Sequence, residues 1–313
     1  VILVVSFKDN DHVRQVTRHL TMEHVVVDVG WFPSRMGLSA AAGADVDELH
    51  FHLPDGRRLA LDDVGAVWYR RIRSMQLDEA LDGETARTFA WSESNEALLG
   101  VWYAMDCFWM NPPLADEAAL RKILQLRIAR KVGLSIPETL VTNVPDEARA
   151  FIARHGIGRV IRKAFRNIPE APRETALVGE AELTLIDSVR FAPVIFQAFV
   201  AAERDLRVTV VDGEIHAAAI LSDKDHQVDY RSGLGTADVT PYTLPDDVAE
   251  SLLALMKELN LFYGAVDFRV TSEGEHVFLE VNPAGEFLFI SERTDLPIPQ
   301  SIAAALERRA SGR

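Results

Sequence analysis

The sequence predicts an α/β protein of two or three packed lobes, and three observations carry that reading. The chain opens on an apolar strand, a short helix and a second apolar strand, a βαβ-like start. Asp55-Gly56, Asp212-Gly213 and Glu273-Gly274 each sit between strand-like runs and mark hairpins. At 313 residues the chain has ample material for more than one core.

Taken in order, residues 2–6 form the first strand, a helix reaches about Leu20, and Val25 to Val29 form the second strand. Residues 48–53 and 57–61 pair as a hairpin. Val64 to Tyr69 is a strand that ends in Arg70, Arg71 and Arg73. Three arginines there either receive an acidic ligand or form a solvated rim with interdomain salt bridges. A long helix follows from about Asp82 to Met105, with Phe89, Leu98, Leu99, Val101 and Trp102 as core residues. Asn111-Pro-Pro breaks the chain and marks a domain boundary. Asp116 is placed to cap a helix that runs to Lys131 and stops near Gly133. Its apolar stripe is Ala119, Ile123 and Leu126, with Lys122 beside it. Then come a strand at 135–142, a helix at 146–156, and a strand at 159–163 ending in Lys163. Residues 193–200 form an apolar strand that leads into the hairpin about Asp212-Gly213. The helix from Asp246 to Leu259 carries Val248, Leu252, Leu255, Met256 and Leu259 on one stripe. An amphipathic helix, about Ile298 to Arg308, closes the chain.

Hydrophobic content of 48% and charged content of 26% are those of an ordinary globular chain. A net charge of −14 argues against a nucleic-acid partner, because phosphate tracking needs a basic surface. No run reaches the ~18 apolar residues of a membrane helix, and the first residues lack a signal-peptide pattern. The expected compartment is the cytoplasm, with no membrane partner. The lone Cys107 excludes an internal disulfide and, next to Phe108 and Trp109, reads as a core thiol.

The chemistry concentrates at residues 262–283. Folded about Glu273-Gly274, this hairpin sets Asp267 directly across from Glu280, with Asn282 two residues on and on the same face. Val266, Phe268, Val270, Val277, Leu279 and Val281 then make the core face. Two carboxylates facing across a ladder repel unless a cation lies between them. With an amide oxygen added, the donors are all hard oxygens, a set that suits Mg²⁺. The alternative is a solvated outer face. Walker, dinucleotide-fingerprint and kinase motifs are missing.

Further residues carry a resemblance. Asn111-Pro-Pro, Lys122 to Leu126, Gly133 to Leu140, Val160 to Lys163, Phe196 to Val200, Asp205 to Arg207, Asp229 to Arg231, Gly264 to Phe268 and Glu280 to Pro283 together resemble an ATP-grasp ligase. Val67 to Arg71, Ile136 to Asn143 and Glu280 to Phe287 are most similar to the microviridin-type (graspetide) peptide maturases. The likeness covers essentially the whole chain.

It implies an ATP-grasp fold, α/β with α+β character, whose lobes are 1–112, 113–197 and 198–313. ATP lies between the central and C-terminal lobes. Lys122 and Lys163 correspond to lysines on the phosphates, Gln197, Ala198, Phe199 and Val200 to the hinge beside adenine, and Glu203 to a ribose contact. Arg207 and Arg231 correspond to catalytic arginines near the γ-phosphate and acyl phosphate, and Asp267, Glu280 and Asn282 to Mg²⁺ ligands. The implied activity uses ATP and Mg²⁺ to activate Asp or Glu side chains of a ribosomally made precursor peptide, leader plus core. It then joins them to Ser, Thr or Lys. The family is often a homodimer.

The alternatives are an amino-acid ligase of the ribosomal-protein glutamate ligase type and a nucleotide-binding protein without catalysis. One departure stands out: residues 164–173 lack the glycines usual over the phosphates, so Arg166 or Arg173 supplies charge there, or the segment serves the peptide. Ala198 also replaces a common acidic hinge residue, which leaves adenine to backbone groups. His226 is a general-base candidate by location, or a solvated loop histidine.

Overall fold

The computed structural model describes residues 1–165, 175–221 and 233–312. Its first sheet is parallel, in the order His24–Val27, Ile2–Val5, Ala66–Tyr69, Phe108–Met110. All four residues of Ile2–Val5 are buried, as expected for a parallel strand covered on both faces. Alternate side chains serve different cores. Ile2, Val4 and Trp68 pack with Ile302 and Leu306 of the closing helix Ile298–Ser311. Leu3, Val5 and Val67 pack with Leu98, Val101 and Trp102 of the helix Glu84–Ala104. That helix is covered only in its last turns: Phe89, expected in the core, is 67% exposed. An antiparallel meander, Gly37–Ala42, Asp47–His52 and Arg58–Ala60, adds one more strand than the hairpin expected there.

The second antiparallel sheet runs Ala176–Leu177, Val160–Lys163, Val194–Ala198, Thr139–Thr142. Ala148, Phe151 and Ile152 of the helix Pro145–His155 cover it. The third sheet holds five antiparallel strands: Asp238–Tyr242, Glu214–Leu221, Arg204–Val211, Tyr263–Val270, His276–Asn282. Leu206, Val208, Val266 and Phe268 pack against Leu252, Leu255 and Met256 of the helix Asp246–Glu258. On the other side, Val211, Tyr263 and Phe287 join the core of the first sheet.

Two expectations are corrected. A bulge between Asp267 and Phe268 shifts the last hairpin by one residue toward its turn, pairing Phe268 with Phe278. Phe278 therefore occupies the core and Leu279 is only half-buried, because a bulge swaps the faces beyond it. The helix expected from Asp116 to Lys131 is two, Pro113–Ala119 and Lys122–Lys131, and Asp116 lies inside the first and caps neither. Ile123 is consequently 50% exposed.

Asn111 ties the first sheet to the third. Its Oδ1 accepts from the Phe262 and Tyr263 amides, both at 2.8 Å. Its Nδ2 donates to the Tyr263 carbonyl at 2.9 Å and to that of Pro283 at 3.2 Å. Asp116 Oδ1 accepts from the same nitrogen at a long 3.4 Å. Burial pushes the Asp116 carboxyl up to about 6 against the opposing pull of Asn111 and Arg70.

Removing the staple leaves buried backbone groups without partners, so Asn111→Ala should lower unfolding free energy by about 3 kcal/mol, read by chemical denaturation. The neutral Asp116 adds stability that is complete below about pH 4 and is lost as pH rises through about 6. His12, pushed down to about 3 by burial, acts in the opposite sense on acidification, so the comparison must isolate Asp116. The stability of Asp116→Asn relative to the parent should fall by about 2 kcal/mol between pH 7 and pH 4. A pH-independent difference would show that Asp116 is not perturbed.

Candidate active site

The Tyr263–Val270 strand sits between two others, and Asp267 has a registered partner on each side: Arg207 on one, Glu280 on the other. Arg207 Nη1 donates to Asp267 Oδ1 at 2.9 Å, with both side chains largely buried. Lys122 Nζ meets Glu280 Oε2 at 2.6 Å. The expected carboxylate pair is therefore matched by two cations, one from within the sheet and one from the helix Lys122–Lys131.

Lys122 is brought there by a neighbour that sequence reading passed over. Gln125, one helical turn on and 1% exposed, pairs its amide with the backbone of Val281: Nε2 to the carbonyl at 2.8 Å, and the Val281 amide to Oε1 at 3.1 Å. It imitates a further strand along the open edge of His276–Asn282, and Ser135 does the same nearby, accepting from the Phe278 amide at 2.8 Å. A polar residue three positions from Lys122, on the buried side of its helix, was the available signal.

Lys163 ends its strand within electrostatic range of Glu280, Lys122, Arg269 and Asp267, and burial lowers its pKa while the Glu280 carboxylate opposes the shift. Gln197 is 3% exposed, its Nε2 donating to Thr139 Oγ1 at 2.9 Å; its Oε1 is buried and accepts no hydrogen bond among the described residues. The amides of Ala198 and Phe199 are engaged by the Glu138 and Arg159 carbonyls. Arg269 lies 5.2 Å from the Phe199 ring and donates to the Val200 carbonyl at 2.7 Å. Glu203 is half exposed beside Arg204. Arg231, His226, Arg166 and Arg173 lie outside the described residues.

Asn282 stands beyond Glu280, opposite Ala265, and its Oδ1 accepts from the Ala284 amide at 3.0 Å, which fixes the side chain and leaves the oxygen a second lone pair. Asp267, Glu280 and Asn282 thus offer only hard oxygens, a donor set that fits Mg²⁺. No group of three His, Cys, Asp or Glu side chains able to hold a metal occurs among the described residues. An ion here would take two carboxylates and an amide, with its remaining ligands from elsewhere.

The turn after Asn282 is clamped by arginines. Arg70, 1% exposed, donates to the Gly285 carbonyl at 3.0 Å, and the Tyr263 hydroxyl donates to the same oxygen at 2.7 Å. The Arg70 guanidinium lies 5.3 Å from the Phe287 ring and 5.9 Å from that of Trp68. Arg71 donates to the Ala284 carbonyl at 3.2 Å and to the Glu286 carboxylate at 2.8 Å. Arg73 reaches Asp28 at 3.3 Å. Arg70 and Arg71 therefore tie the first sheet to the turn at 284–286, and Arg73 ties the strand end to Asp28. Gly285 is demanded by crowding, since a Cβ there would collide with Ala265 Cβ and lie 2.8 Å from Arg207 Nη2.

Residues 1–117 match the model of the MvdD pre-ATP grasp domain, and residues 119–306 that of the RimK-like ATP-grasp domain. The macrocyclase MdnC of Microcystis aeruginosa MRC, solved with precursor peptide MdnA, is similar with a TM-score of 0.87 and 29% identity, covering 98% of this chain and 99% of that one. A RiPP-associated ATP-grasp ligase of Chryseobacterium gregarium, solved with ADP and a leader and core peptide, has a TM-score of 0.90 and 28% identity over 98% of this chain and 96% of its own. A probable alpha-L-glutamate ligase of Enterobacter sp. (strain 638) is 26% identical over 64% of this chain and 68% of that protein. No helix among the described residues is long and apolar enough to cross a membrane. The chain belongs to the RimK-like ATP-grasp family of ligases.

Proposed function

We propose that this protein uses ATP and Mg²⁺ to convert Asp or Glu side chains of a ribosomally made precursor peptide, leader plus core, into acyl phosphates. It then closes rings onto Ser or Thr hydroxyls or Lys amines. The observation that carries this reading is the row Lys122, Glu280, Asp267, Arg207, brought together from one helix and three strands, in a chain similar along nearly its whole length to peptide-bound ligases. A carboxylate is a poor electrophile and needs a better leaving group than hydroxide. Phosphate serves, and fixed cations stabilise the charge it carries away.

In this reading the lobes are 1–112, 113–197 and 198–313. Lys122 and Lys163 hold the phosphates. Gln197 offers its free buried acceptor to the adenine amine, with Ala198, Phe199 and Val200 beside the base and Glu203 at the ribose. The engaged amides of Ala198 and Phe199 leave less backbone for adenine than Ala198 alone suggested. Arg207 and Arg231 steady the γ-phosphate and acyl phosphate. Asp267, Glu280 and Asn282 would hold Mg²⁺, which, when bound, neutralises phosphate charge. A homodimer belongs to the proposal, the exposed Phe89 and Trp91 being apolar surface of the kind a second copy covers.

The test is mass spectrometry of candidate precursor peptides incubated with ATP and Mg²⁺. Loss of one water per new bond supports ring closure, whereas gain of an amino-acid residue would place the protein with the glutamate ligases. Asp267→Asn and Glu280→Gln should each reduce peptide-dependent ADP release by at least about 100-fold with circular dichroism unchanged. Full turnover in both variants would remove the metal from this hairpin.

A further inference from the structure

The row of charges has two ends. Lys122 and Lys163 stand at one, where the proposed phosphates lie. At the other, Arg207 bridges Asp267 to the Glu286 carbonyl, its Nη2 donating at 2.9 Å. Glu286 is therefore one guanidinium away from a proposed metal ligand. Its backbone is held from several sides: Arg70 and Tyr263 on the preceding carbonyl, Asn111 on the Pro283 carbonyl, and His12 Nε2 accepting from the Phe287 amide at 3.3 Å. Its carboxylate, in contrast, is 53% exposed and oriented by Arg71.

A fixed backbone that carries an open carboxylate is what a proton acceptor requires. An acyl phosphate steadied by Arg207 would lie at the guanidinium whose Nη2 also binds the Glu286 carbonyl, which brings the acyl carbon to this turn. His12, which faces this turn from the helix Asp11–Thr17, is unsuited. His12 has its Nε2 engaged, and burial, with Arg70 and Arg71 nearby, suppresses its basicity to about 3.

We propose that Glu286 is the catalytic base of ring closure, held in place by Arg71; this rests on the function proposed above. The Ser or Thr Oγ, or Lys Nζ, forms a bond to the acyl carbon, and the bond from that carbon to the phosphate oxygen breaks. Phosphate leaves with the electron pair. The proton of the attacking group passes to the Glu286 carboxylate and from there to solvent.

The experiment uses the full chain, ATP, Mg²⁺ and the candidate precursor peptides of the mass assay. Hydroxylamine is added in parallel, because it attacks an acyl phosphate without help from a protein base. With Glu286→Gln, hydroxamate formation should stay within about twofold of the parent while ring closure falls by about 100-fold or more. Glu286→Asp should recover part of the closure rate. Ring closure by Glu286→Gln at the parent rate overturns the assignment. Equal loss of hydroxamate and closure also overturns it, leaving Glu286 as an anchor for Arg71. A parent enzyme that yields neither hydroxamate nor ring overturns the underlying function instead.

Discussion

Everything at this site answers to one constraint: Asp267 and Glu280 are neighbours on adjacent strands, and like charges so placed repel. Two unit charges about 4 Å apart interact by about 4 kcal/mol at an effective dielectric near 20, several times the net worth of an ordinary hydrogen bond. The pair therefore has to be compensated, and the protein does so from two directions. Arg207 comes from the next strand of the same sheet, and Lys122 from a helix anchored through Gln125. Charge balance and helix placement become one problem, since moving the helix would strip Glu280 of its partner.

The pre-ATP grasp domain takes part in that solution. Arg70, Arg71 and Asn111 reach across to the carbonyls of residues 283–285, which follow Asn282 directly. A buried arginine on aromatic rings and a five-contact asparagine are costly to place, and both bind this turn, Asn111 tying it also to Phe262 and Tyr263. That turn also receives the second nitrogen of Arg207. The first sheet thus acts as a wall against which the business end of the third sheet is set.

Much of the site was legible in the sequence because it rests on period-two alternation and turn chemistry. Residues 262–283 carried both, so the pairing of Asp267 with Glu280 followed from the residues themselves. The bulge one position further did not, since nothing in Phe268, Phe278 or Leu279 announces an extra residue in one strand, and all three are apolar. The break at Leu120–Arg121 escaped for a related reason: neither residue is a helix breaker, and the Ala119 carbonyl before the break is taken by the side chain of Gln125. Arg70 and Arg71 were ambiguous because their partners lie more than two hundred positions away, at Gly285, Ala284 and Glu286. Gln125 looked like any polar helix residue until its strand edge was in view. The roles of Arg231 and His226 rest on the sequence alone.

Gly285 has a consequence for anyone remodelling this protein. Its lack of a side chain is dictated by Ala265 and Arg207 crowding from below, which are parts of the scaffold and present whatever substrate is used. A library aimed at altering which peptides are accepted has freedom at neighbouring positions such as Ala284, but position 285 admits hydrogen alone. Diversity introduced there would be discarded as broken enzyme before selectivity could be scored.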